Sequence, residues 1–217
     1  MSGRFDPALL PASPDLSLER ALWACGLAAI AGIDEAGRGA LAGPVAAVAL
    51  ILPPEPGRLK ALDGLRDSKK LSPAERAAWA SVLRQVASAW GVGYASEREI
   101  DLYGILPATR LAAQRALTSL AVPPQHLLLD CLFLPDDPTP QTSLIKGDER
   151  SLCIAGASIL AKTCRDALLQ EMELAYPGYG FAAHKGYGTR AHLQALRVLG
   201  PCPAHRMSFA PIKTSSR

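Results

Sequence analysis

Four acidic side chains lie at or just beyond the ends of apolar stretches, where carboxylates from separate segments can act together. They are Asp34, Glu35, Asp130 and Asp148. Strands of an α/β protein that end at one edge of the sheet bring such acids together, and this edge is the usual position of an active site. Hard divalent cations prefer oxygen ligands, and Mg²⁺ typically shares a few carboxylates with water and substrate phosphate oxygens. Each acid alone is better explained as a solvated turn residue. Together they suit two cations about 3.5–4 Å apart that clamp the attacking and leaving oxygens of a phosphodiester.

Asp34 and Glu35 are adjacent, and adjacent residues of a regular strand point to opposite faces of the sheet. Both can serve one site only if the strand is interrupted, and Gly37 and Gly39 allow the chain to turn sharply directly after Asp34. The same glycines permit the backbone N–H groups of Gly37-Arg38-Gly39 to converge on an acceptor oxygen. A Gly-x-Gly segment is also common in turns that bind nothing, so the loop by itself leaves its role open.

The elements that must position these residues alternate between short apolar runs and helical stretches. We predict strands over residues 27–33, 45–52, 91–94, 126–130 and 143–145. We predict helices from Ser13-Pro14 to Trp23, from the capping box Ser72-Pro73-Ala74-Glu75 to about Trp90, and over 97–103, 108–120, 151–176 and 189–199. The first two strands are expected to be antiparallel neighbours. Three strands, helices, and then two more strands with helices indicate one mixed α/β layer fold.

Composition limits the class of protein. The chain has 217 residues, of which 49% are hydrophobic and 20% charged, as expected for one folded domain with a substantial core. No apolar run approaches the roughly 18 residues of a membrane span, and the N-terminus lacks the basic-then-apolar layout of a signal peptide, so we expect a cytoplasmic protein. Five scattered cysteines indicate neither a disulfide framework nor a zinc site. Residues 141–217 hold 10 basic and 5 acidic side chains, a balance that suits a polyanionic partner.

Six segments, taken in order, closely resemble the motifs of type 2 ribonucleases H, the ribonuclease HII family. The first is Asp34-Glu35-Ala36-Gly37-Arg38-Gly39 with Ala42-Gly43-Pro44-Val45. The others are Asp67-Ser68-Lys69-Lys70-Leu71, Lys146-Gly147-Asp148, residues 157–163 with Arg165-Asp166, Tyr179-Gly180-Phe181 with residues 184–189, and His205-Arg206 with Ser208-Phe209. Six matching segments in the family's order, from about residue 28 to residue 212, are a specific signature.

The resemblance implies an α/β, ribonuclease H-like fold: a mixed five-stranded sheet flanked by helices, with a helical C-terminal portion. Residues 1–26 would form an N-terminal arm with a short helix, and residues 27–217 the catalytic domain. The implied catalytic and metal-binding set is Asp34, Glu35, Asp130 and Asp148. Asp166 is an alternative fourth acid, but its place beside Arg165 in a helix favours a structural ion pair. The chain departs from the family pattern at Cys131, where glycine is usual, and at Ala155, where serine is common. Neither departure removes an implied ligand.

The implied activity is cleavage of RNA in RNA–DNA hybrids and at single ribonucleotides in duplex DNA. The resemblance also implies Mg²⁺ or Mn²⁺ in a two-metal site, in-line attack by water, and products with 3′-hydroxyl and 5′-phosphate ends. The implied substrate-binding residues are Gly37, Arg38 and Gly39 for the 2′-hydroxyl, Tyr187 for the deoxyribose that follows, and Ser68, Lys69, Lys146 and Lys185 for the rest of the strand. The expected partners are RNA–DNA hybrids and ribonucleotide-containing DNA, bound by a monomer.

Two alternatives remain at the level of sequence. One is the sister type 3 ribonuclease H, which prefers longer hybrids and normally carries a sizeable N-terminal domain. The other is a nuclease-like fold that only binds nucleic acid. The four acids disfavour the binding module, because unneeded carboxylates repel phosphates.

Overall fold

A computed structural model of the chain describes residues 13–65 and 68–215. Most of the N-terminal arm, and Asp67 of the second motif, therefore lie outside the described residues. The five strands form one sheet in the order β3-β2-β1-β4-β5. Their bounds are β1 Ile30–Ala36, β2 Val45–Ile51, β3 Ala89–Ala95, β4 His126–Asp130 and β5 Gln141–Leu144. β1 is antiparallel to β2 and parallel to β4, so the predicted pairing of the first two strands and the mixed five-stranded sheet are confirmed.

Helices flank this sheet. Their bounds are α1 Ser17–Ala24, α2 Pro56–Leu59, α3 Pro73–Val86, α4 Glu97–Tyr103, α5 Ile105–Thr118, α6 Leu152–Ala175, α7 Phe181–His184, α8 Arg190–Leu199 and α9 Ile212–Ser215. The predicted capping box is present, because Ser72 accepts from the backbone of Glu75 and the Glu75 side chain accepts from the backbone of Ser72. Within the described ranges, no helix combines the length and the apolar character needed to cross a membrane.

The centre of the sheet is buried on both faces, which explains why β2 reads as an unbroken apolar run: every residue of Val45–Ile51 is buried. Helix α6 packs on one face of β1 and β2, and α5 packs on the other face of the sheet. A Cβ at Gly32 would lie 2.3 Å from the backbone carbon of Cys153, so α6 can approach β1 this closely only because residue 32 is glycine.

Helix α1 is tied to the start of α6. Glu19 is fully buried and accepts hydrogen bonds from the Ser151 hydroxyl (2.5 Å) and the Cys153 amide (2.9 Å). The backbone of Asp15 pairs with the same region, since its carbonyl accepts from the amide of Leu152 at 2.8 Å. A segment near the N-terminus therefore helps to fix the residues that lead into the longest helix.

Three predicted helix boundaries are wrong, and one of them is the start of α5, which lies at Ile105 rather than at residue 108. The first helix does not begin at Ser13-Pro14, because Asp15 is held in an extended bridge with Ser151 and its side chain accepts from the amide of Ser17, where the helix begins. Helix α3 does not reach Trp90. It ends at Val86, because residues 89–95 pair along the whole length of β2. The third strand is correspondingly longer than the predicted residues 91–94.

Candidate active site

The register of the sheet brings two of the four acids together. Ile33 of β1 lies opposite Leu129 of the parallel strand β4, so the next residues along, Asp34 and Asp130, lie side by side where β4 ends. Asp34 is almost fully buried, whereas Asp130 is half-buried. Two carboxylates from segments almost a hundred residues apart thus share one edge of the sheet.

The third acid, Asp148, lies on a turn that follows β5. Asp148 lies in the 3₁₀ turn Gly147–Glu149, and the amide of Gly147 donates to Oδ1 of Asp130 at 2.7 Å. Lys146, directly before this turn, has a left-handed backbone with φ of 55°. One carboxylate oxygen from each of Asp34, Asp130 and Asp148 lies within 4.8 Å of the others, a spacing at which all three can bind one cation.

Glu35 lies outside this group of three, and the turn predicted directly after Asp34 is wrong. Strand β1 continues to Ala36, because Glu35 and Ala36 still pair with β2, so Asp34 and Glu35 lie on opposite faces of a regular strand. The Glu35 side chain accepts from Arg38 at 3.0 Å through Oε1. Its Oε2 is buried and has no hydrogen-bond partner among the described residues. This oxygen lies close enough to the acidic group for the charge of Asp130 to raise the pKa of Glu35.

The electrostatics of the four acids also suit a cation. Burial raises the pKa of Asp34 well above its usual value, and the charges of Glu35 and Asp130 raise it further. Burial likewise raises the pKa values of Asp130 and Glu35. The ammonium of Lys69 binds Oδ2 of Asp148 at 2.7 Å. The raised pKa values of Asp34, Glu35 and Asp130 mean that positive charge nearby would stabilise their charged forms.

One buried arginine, Arg206, holds the glycine loop that follows β1, and a second, Arg165, packs against Gly37. Arg206 is fully buried and donates to the carbonyls of Gly37 (2.7 Å), Arg38 (2.8 Å) and Gly43. Because C=O and N–H point in opposite directions across a trans peptide, the amides of Arg38 and Gly39 are directed away from Arg206. Gly37 has φ of 93°, and a Cβ there would lie 2.0 Å from Nε of Arg165. The loop therefore requires glycine at residue 37 and presents backbone N–H groups on one side.

Three of the four acids and the glycine loop line one open pocket of about 310 Å³. Its lining residues are Asp34, Glu35, Ala36, Gly37, Arg38, Gly39, Ser68, Lys69, Asp130, Ser158, Lys162 and Tyr187. Sequence reasoning gave no role to Ser158 or Lys162. Ser158 shares a hydrogen bond of 2.9 Å with Ser68, and its hydrogen bond to Asp34 partly offsets the raised pKa of that acid. The spacing of four residues, which places Ser158 and Lys162 on one face of α6, was the available signal.

Tyr187 is the aromatic side chain of this pocket. It is 37% exposed, and the guanidinium of Arg165 lies 5.5 Å from the centre of its ring. Its carbonyl accepts from the amide of Thr189 at 2.8 Å and from Nδ1 of His192 at 3.0 Å. The ring is thus presented to the pocket from a loop that is fixed on its other side.

Three other residues considered from the sequence lie away from the acids. Lys146 binds Glu149 at 3.0 Å and is not among the lining residues of the pocket. Lys185 lines a neighbouring cleft, with its ammonium donating to the carbonyl of Ala182. Asp166 forms ion pairs with Lys162 (3.7 Å) and Arg76 (3.8 Å) on α6 and α3. The predicted structural ion pair of Asp166 is present, although its partners are not the adjacent Arg165.

Comparison with known proteins identifies the family that carries this arrangement. Residues 31–212 match the family model described as ribonuclease HII. The chain belongs to the ribonuclease HII family. A ribonuclease HII of Roseiflexus castenholzii is 52% identical over 200 residues, which cover 92% of this chain and 89% of that relative. A ribonuclease HII of Synechococcus sp. is 52% identical over 204 residues, with 92% and 90% covered. The crystal structure of the ribonuclease H2 from Pyrococcus horikoshii OT3 shares the fold with a TM-score of 0.68 at 24% identity, covering 85% of this chain and 95% of that one.

Membership of the ribonuclease HII family makes the chain a metal-dependent ribonuclease that cleaves the RNA strand of RNA–DNA hybrids. The predicted enzyme class is confirmed, and the alternative of a module that only binds nucleic acid is set aside. The matching family model is that of type 2, which sets aside the type 3 alternative as well.

The two departures from the family pattern fit the structure in different ways. Cys131 has φ of 46°, the left-handed conformation that glycine adopts without cost, and its amide donates to the carbonyl of Leu144 at 2.9 Å. The glycine that is usual here is thus replaced by a strained residue beside Asp130. Ala155 is fully buried in α6.

Proposed function

We propose that this ribonuclease HII cuts at single ribonucleotides embedded in duplex DNA as well as in longer hybrids. Asp34, Glu35, Asp130 and Asp148 form the proposed catalytic set. The observation that carries the proposal is the common pocket, which is lined by Asp34, Glu35, Asp130, the loop Gly37-Arg38-Gly39 and Tyr187. Asp148 lies beside it, with a carboxylate oxygen within 4.8 Å of those of Asp34 and Asp130. All these groups come from one chain, and we propose that it acts as a monomer.

The donor set fits divalent cations. Asp34, Asp130 and Asp148 would hold one cation, and the Oε2 atom of Glu35, which has no hydrogen-bond partner among the described residues, would be available to a second. Mg²⁺ and Mn²⁺ both suit an all-carboxylate set. Bound there, such cations supply the positive charge that stabilises an in-line displacement at phosphorus, which leaves 3′-hydroxyl and 5′-phosphate ends.

The remaining groups of the pocket orient the strand. The amides of the loop are suited to the 2′-hydroxyl, the group by which RNA differs from DNA. Tyr187 offers a flat apolar face to the deoxyribose of the next nucleotide, which would favour a ribonucleotide followed by DNA. Lys69 binds Asp148 in the absence of substrate and can transfer its hydrogen bonds to a phosphate oxygen. Ser68 is held by Ser158 and thereby fixes the position of this lysine.

The test is cleavage-site mapping on a DNA duplex that contains one ribonucleotide, with Mg²⁺, with Mn²⁺ and with chelator. We expect a cut at the ribonucleotide with either cation and none with chelator. Cleavage of long hybrids without cleavage of this duplex would contradict the proposal for single ribonucleotides.

A matched pair of variants tests the fourth acid. Asp148→Asn should lower turnover by about 10³-fold or more, because it removes a ligand charge, whereas Asp166→Asn should stay within about tenfold of the wild type. The opposite order of the two variants would move the fourth ligand to Asp166. Circular dichroism and a melting curve on both variants control for folding.

A further inference from the structure

Three of the four histidines of the chain form one cluster beside the loop that carries Tyr187. His192 and His205 are almost fully buried, and the ring of His184 stacks on that of His192 with 4.3 Å between their centres. Burial and the neighbouring His192 lower the pKa of His205 to about 4, and burial lowers the pKa of His192 as well. The rings of His192 and His205 therefore carry no charge near neutral pH, and the ring nitrogen that holds the proton decides which contact each can make.

The backbone of Cys202 fixes the proton of His205. Nδ1 of His205 lies 3.0 Å from the amide nitrogen of Cys202, and because an amide N–H can only donate, Nδ1 must accept. The carbonyl oxygen of Cys202 also lies 3.2 Å from Nδ1, but it already accepts from the backbone amide of His205 at 2.9 Å. A neutral ring that accepts through Nδ1 carries its proton on Nε2.

This proton determines the tautomer of His192. Nε2 of His205 lies 3.0 Å from Nε2 of His192, so His205 donates and His192 accepts. The proton of His192 must then lie on Nδ1, which is 3.0 Å from the carbonyl oxygen of Tyr187 and donates to it. His192 and His205, which we call the histidine pair, thus form a directed series of hydrogen bonds from the backbone of Cys202 to that of Tyr187.

The histidine pair begins on the segment that also holds the glycine loop. His205 pairs with Ala42 in an antiparallel bridge, and the next residue, Arg206, donates to the carbonyls of Gly37 and Arg38. Two adjacent side chains therefore reach both parts of the pocket that are proposed to recognise the substrate. One reaches the glycine loop directly, and the other reaches the tyrosine through its partner histidine.

His184 holds the other side of the tyrosine loop. Its Nε2 donates to the carbonyl of Tyr179 at 2.7 Å, and its Nδ1 accepts from the amide of Gly186 at 3.2 Å. The amide of Tyr187 donates to the carbonyl of His184 at 3.0 Å. The backbone of Tyr187 is thus fixed on its amide side by His184 and on its carbonyl side by His192, which leaves the ring at a defined place in the pocket.

We propose that His192 is a positioning residue for substrate choice, which holds Tyr187 at the distance from the glycine loop that a ribonucleotide followed by DNA requires. His205 sets the tautomer that this task needs. His192 is buried and does not line the pocket, so it acts through Tyr187. The proposal rests on the proposed function, because it takes Tyr187 as the group that contacts the deoxyribose. Loss of the histidine pair should weaken cleavage at the junction and spare cleavage within long hybrids.

The experiment compares kcat/KM on a duplex with one ribonucleotide with kcat/KM on a long hybrid, and reports their ratio. His192→Leu and His192→Asn are the matched variants, because the two new side chains have nearly the same shape and only asparagine can donate to the carbonyl of Tyr187. We expect the ratio to fall about 3- to 10-fold in His192→Leu, the loss expected for one neutral hydrogen bond, and to stay within about twofold of the wild type in His192→Asn. His126→Leu makes the same change at the start of β4, away from Asp130, and should leave the ratio unchanged.

Combination with Tyr187→Ala separates positioning from a general structural role. If His192 acts through Tyr187, His192→Leu should not change the ratio further in the Tyr187→Ala background. A histidine that only supports the fold would lower turnover on both substrates by the same factor and leave the ratio as it is. An unchanged ratio in His192→Leu, or a further loss of about 3-fold or more in the double variant, would overturn the proposal.

Nitrogen NMR on protein labelled at histidine tests the hydrogen-bond series without substrate. Protonated and unprotonated ring nitrogens resonate apart, and we expect the proton on Nδ1 of His192 and on Nε2 of His205. The reverse tautomers would contradict the proposal. If the wild type fails to cut at a single ribonucleotide, the proposed function is contradicted, and the ratio is taken instead between the last and the interior positions of an RNA tract followed by DNA. A His192→Leu enzyme with the wild-type ratio on that strand would overturn the positioning role by itself.

Discussion

Replacing Asp34 by asparagine is expected to abolish cleavage and, in the absence of metal, to stabilise the fold. Oxygens of Asp34, Asp130 and Asp148 lie within 4.8 Å of one another. At an effective dielectric constant of about 20, two unit charges at that distance repel by about 3.5 kcal/mol. Lys69 and proton uptake already relieve part of this repulsion, so we expect Asp34→Asn to gain about 1–3 kcal/mol of unfolding free energy at neutral pH in chelator, or about 2–12 °C in Tm.

The pH dependence follows from the raised pKa of Asp34. The folded state binds this proton more tightly than the unfolded state, so the wild type loses stability as pH rises from the unfolded pKa through the folded one. The advantage of Asp34→Asn should therefore be largest above the folded pKa. It should disappear at pH values low enough to protonate Asp34 in both states. Added Mn²⁺ should reverse the order, because a cation that binds the folded wild type more tightly stabilises it more.

The measurements are melting curves in chelator and in Mn²⁺ over a range of pH, together with turnover on a hybrid. Turnover should fall by about 10³-fold or more, which corresponds to about 4 kcal/mol in the barrier. Asp136→Asn makes the same chemical change at an exposed loop position and should alter neither quantity. An Asp34→Asn protein that is less stable than the wild type in chelator at neutral pH would refute the electrostatic argument. Unchanged turnover would refute the catalytic assignment.

Three further predictions concern the surroundings of the acids. Arg206→Met should lower the free energy of unfolding, measured in urea, by about 3–5 kcal/mol, because buried carbonyls of the glycine loop lose a charged donor. A loss below about 1 kcal/mol would show that water replaces the guanidinium as donor. Tyr187→Ala should lower kcat/KM at a single ribonucleotide about tenfold more than on a long hybrid, since the ring would remove apolar deoxyribose surface from water at about 25 cal/mol per Å². Equal losses on both substrates would contradict its role at the junction. Cys131→Gly should raise the unfolding free energy by about 0.5–1 kcal/mol, because φ of 46° strains a residue with a side chain; a lower Tm would mean that the side chain packs favourably.

The sequence predicted those parts of the fold that local chemistry determines. The capping box at Ser72 and Glu75 places the start of α3 correctly, because both partners lie within one helical turn. The end of that helix could not be found in the same way, since residues 87–90 are compatible with a helix. Only the pairing of Ala89 with Ile51 of β2 makes them a strand. The same long-range pairing carries β1 through Glu35 to Ala36, where two nearby glycines suggested an earlier turn.

The site was predicted as a set of acids, but not as a geometry. Strand ends and motifs together predicted four acids, and the structure brings oxygens of three of them, Asp34, Asp130 and Asp148, within 4.8 Å of one another. Their relative positions depend on strand register and on contacts between distant segments. Arg206 reaches the carbonyl of Gly37 across 169 residues of chain, and Glu19 reaches the amide of Cys153 across 134. The sequence near Arg206 and Glu19 does not indicate these partners. From sequence alone an arginine or a glutamate is expected at the surface, and only the fold supplies the hydrogen bonds that allow it to be buried.

The distribution of cations around the four acids indicates where metal would bind most strongly. Among the described residues, Arg38 forms an ion pair with Glu35 and Lys69 forms one with Asp148. Asp34 and Asp130 instead receive hydrogen bonds from neutral groups, the amides of Glu35 and Gly147 and the hydroxyl of Ser158. Neutral donors orient a carboxylate but leave most of its charge uncompensated in a partly buried place. We therefore expect the side-by-side pair, Asp34 of β1 and Asp130 at the end of β4, to attract a divalent cation most strongly. We expect Glu35 and Asp148 to complete the site when substrate binds, because their ion-pair partners, Arg38 and Lys69, can then turn to a phosphate oxygen.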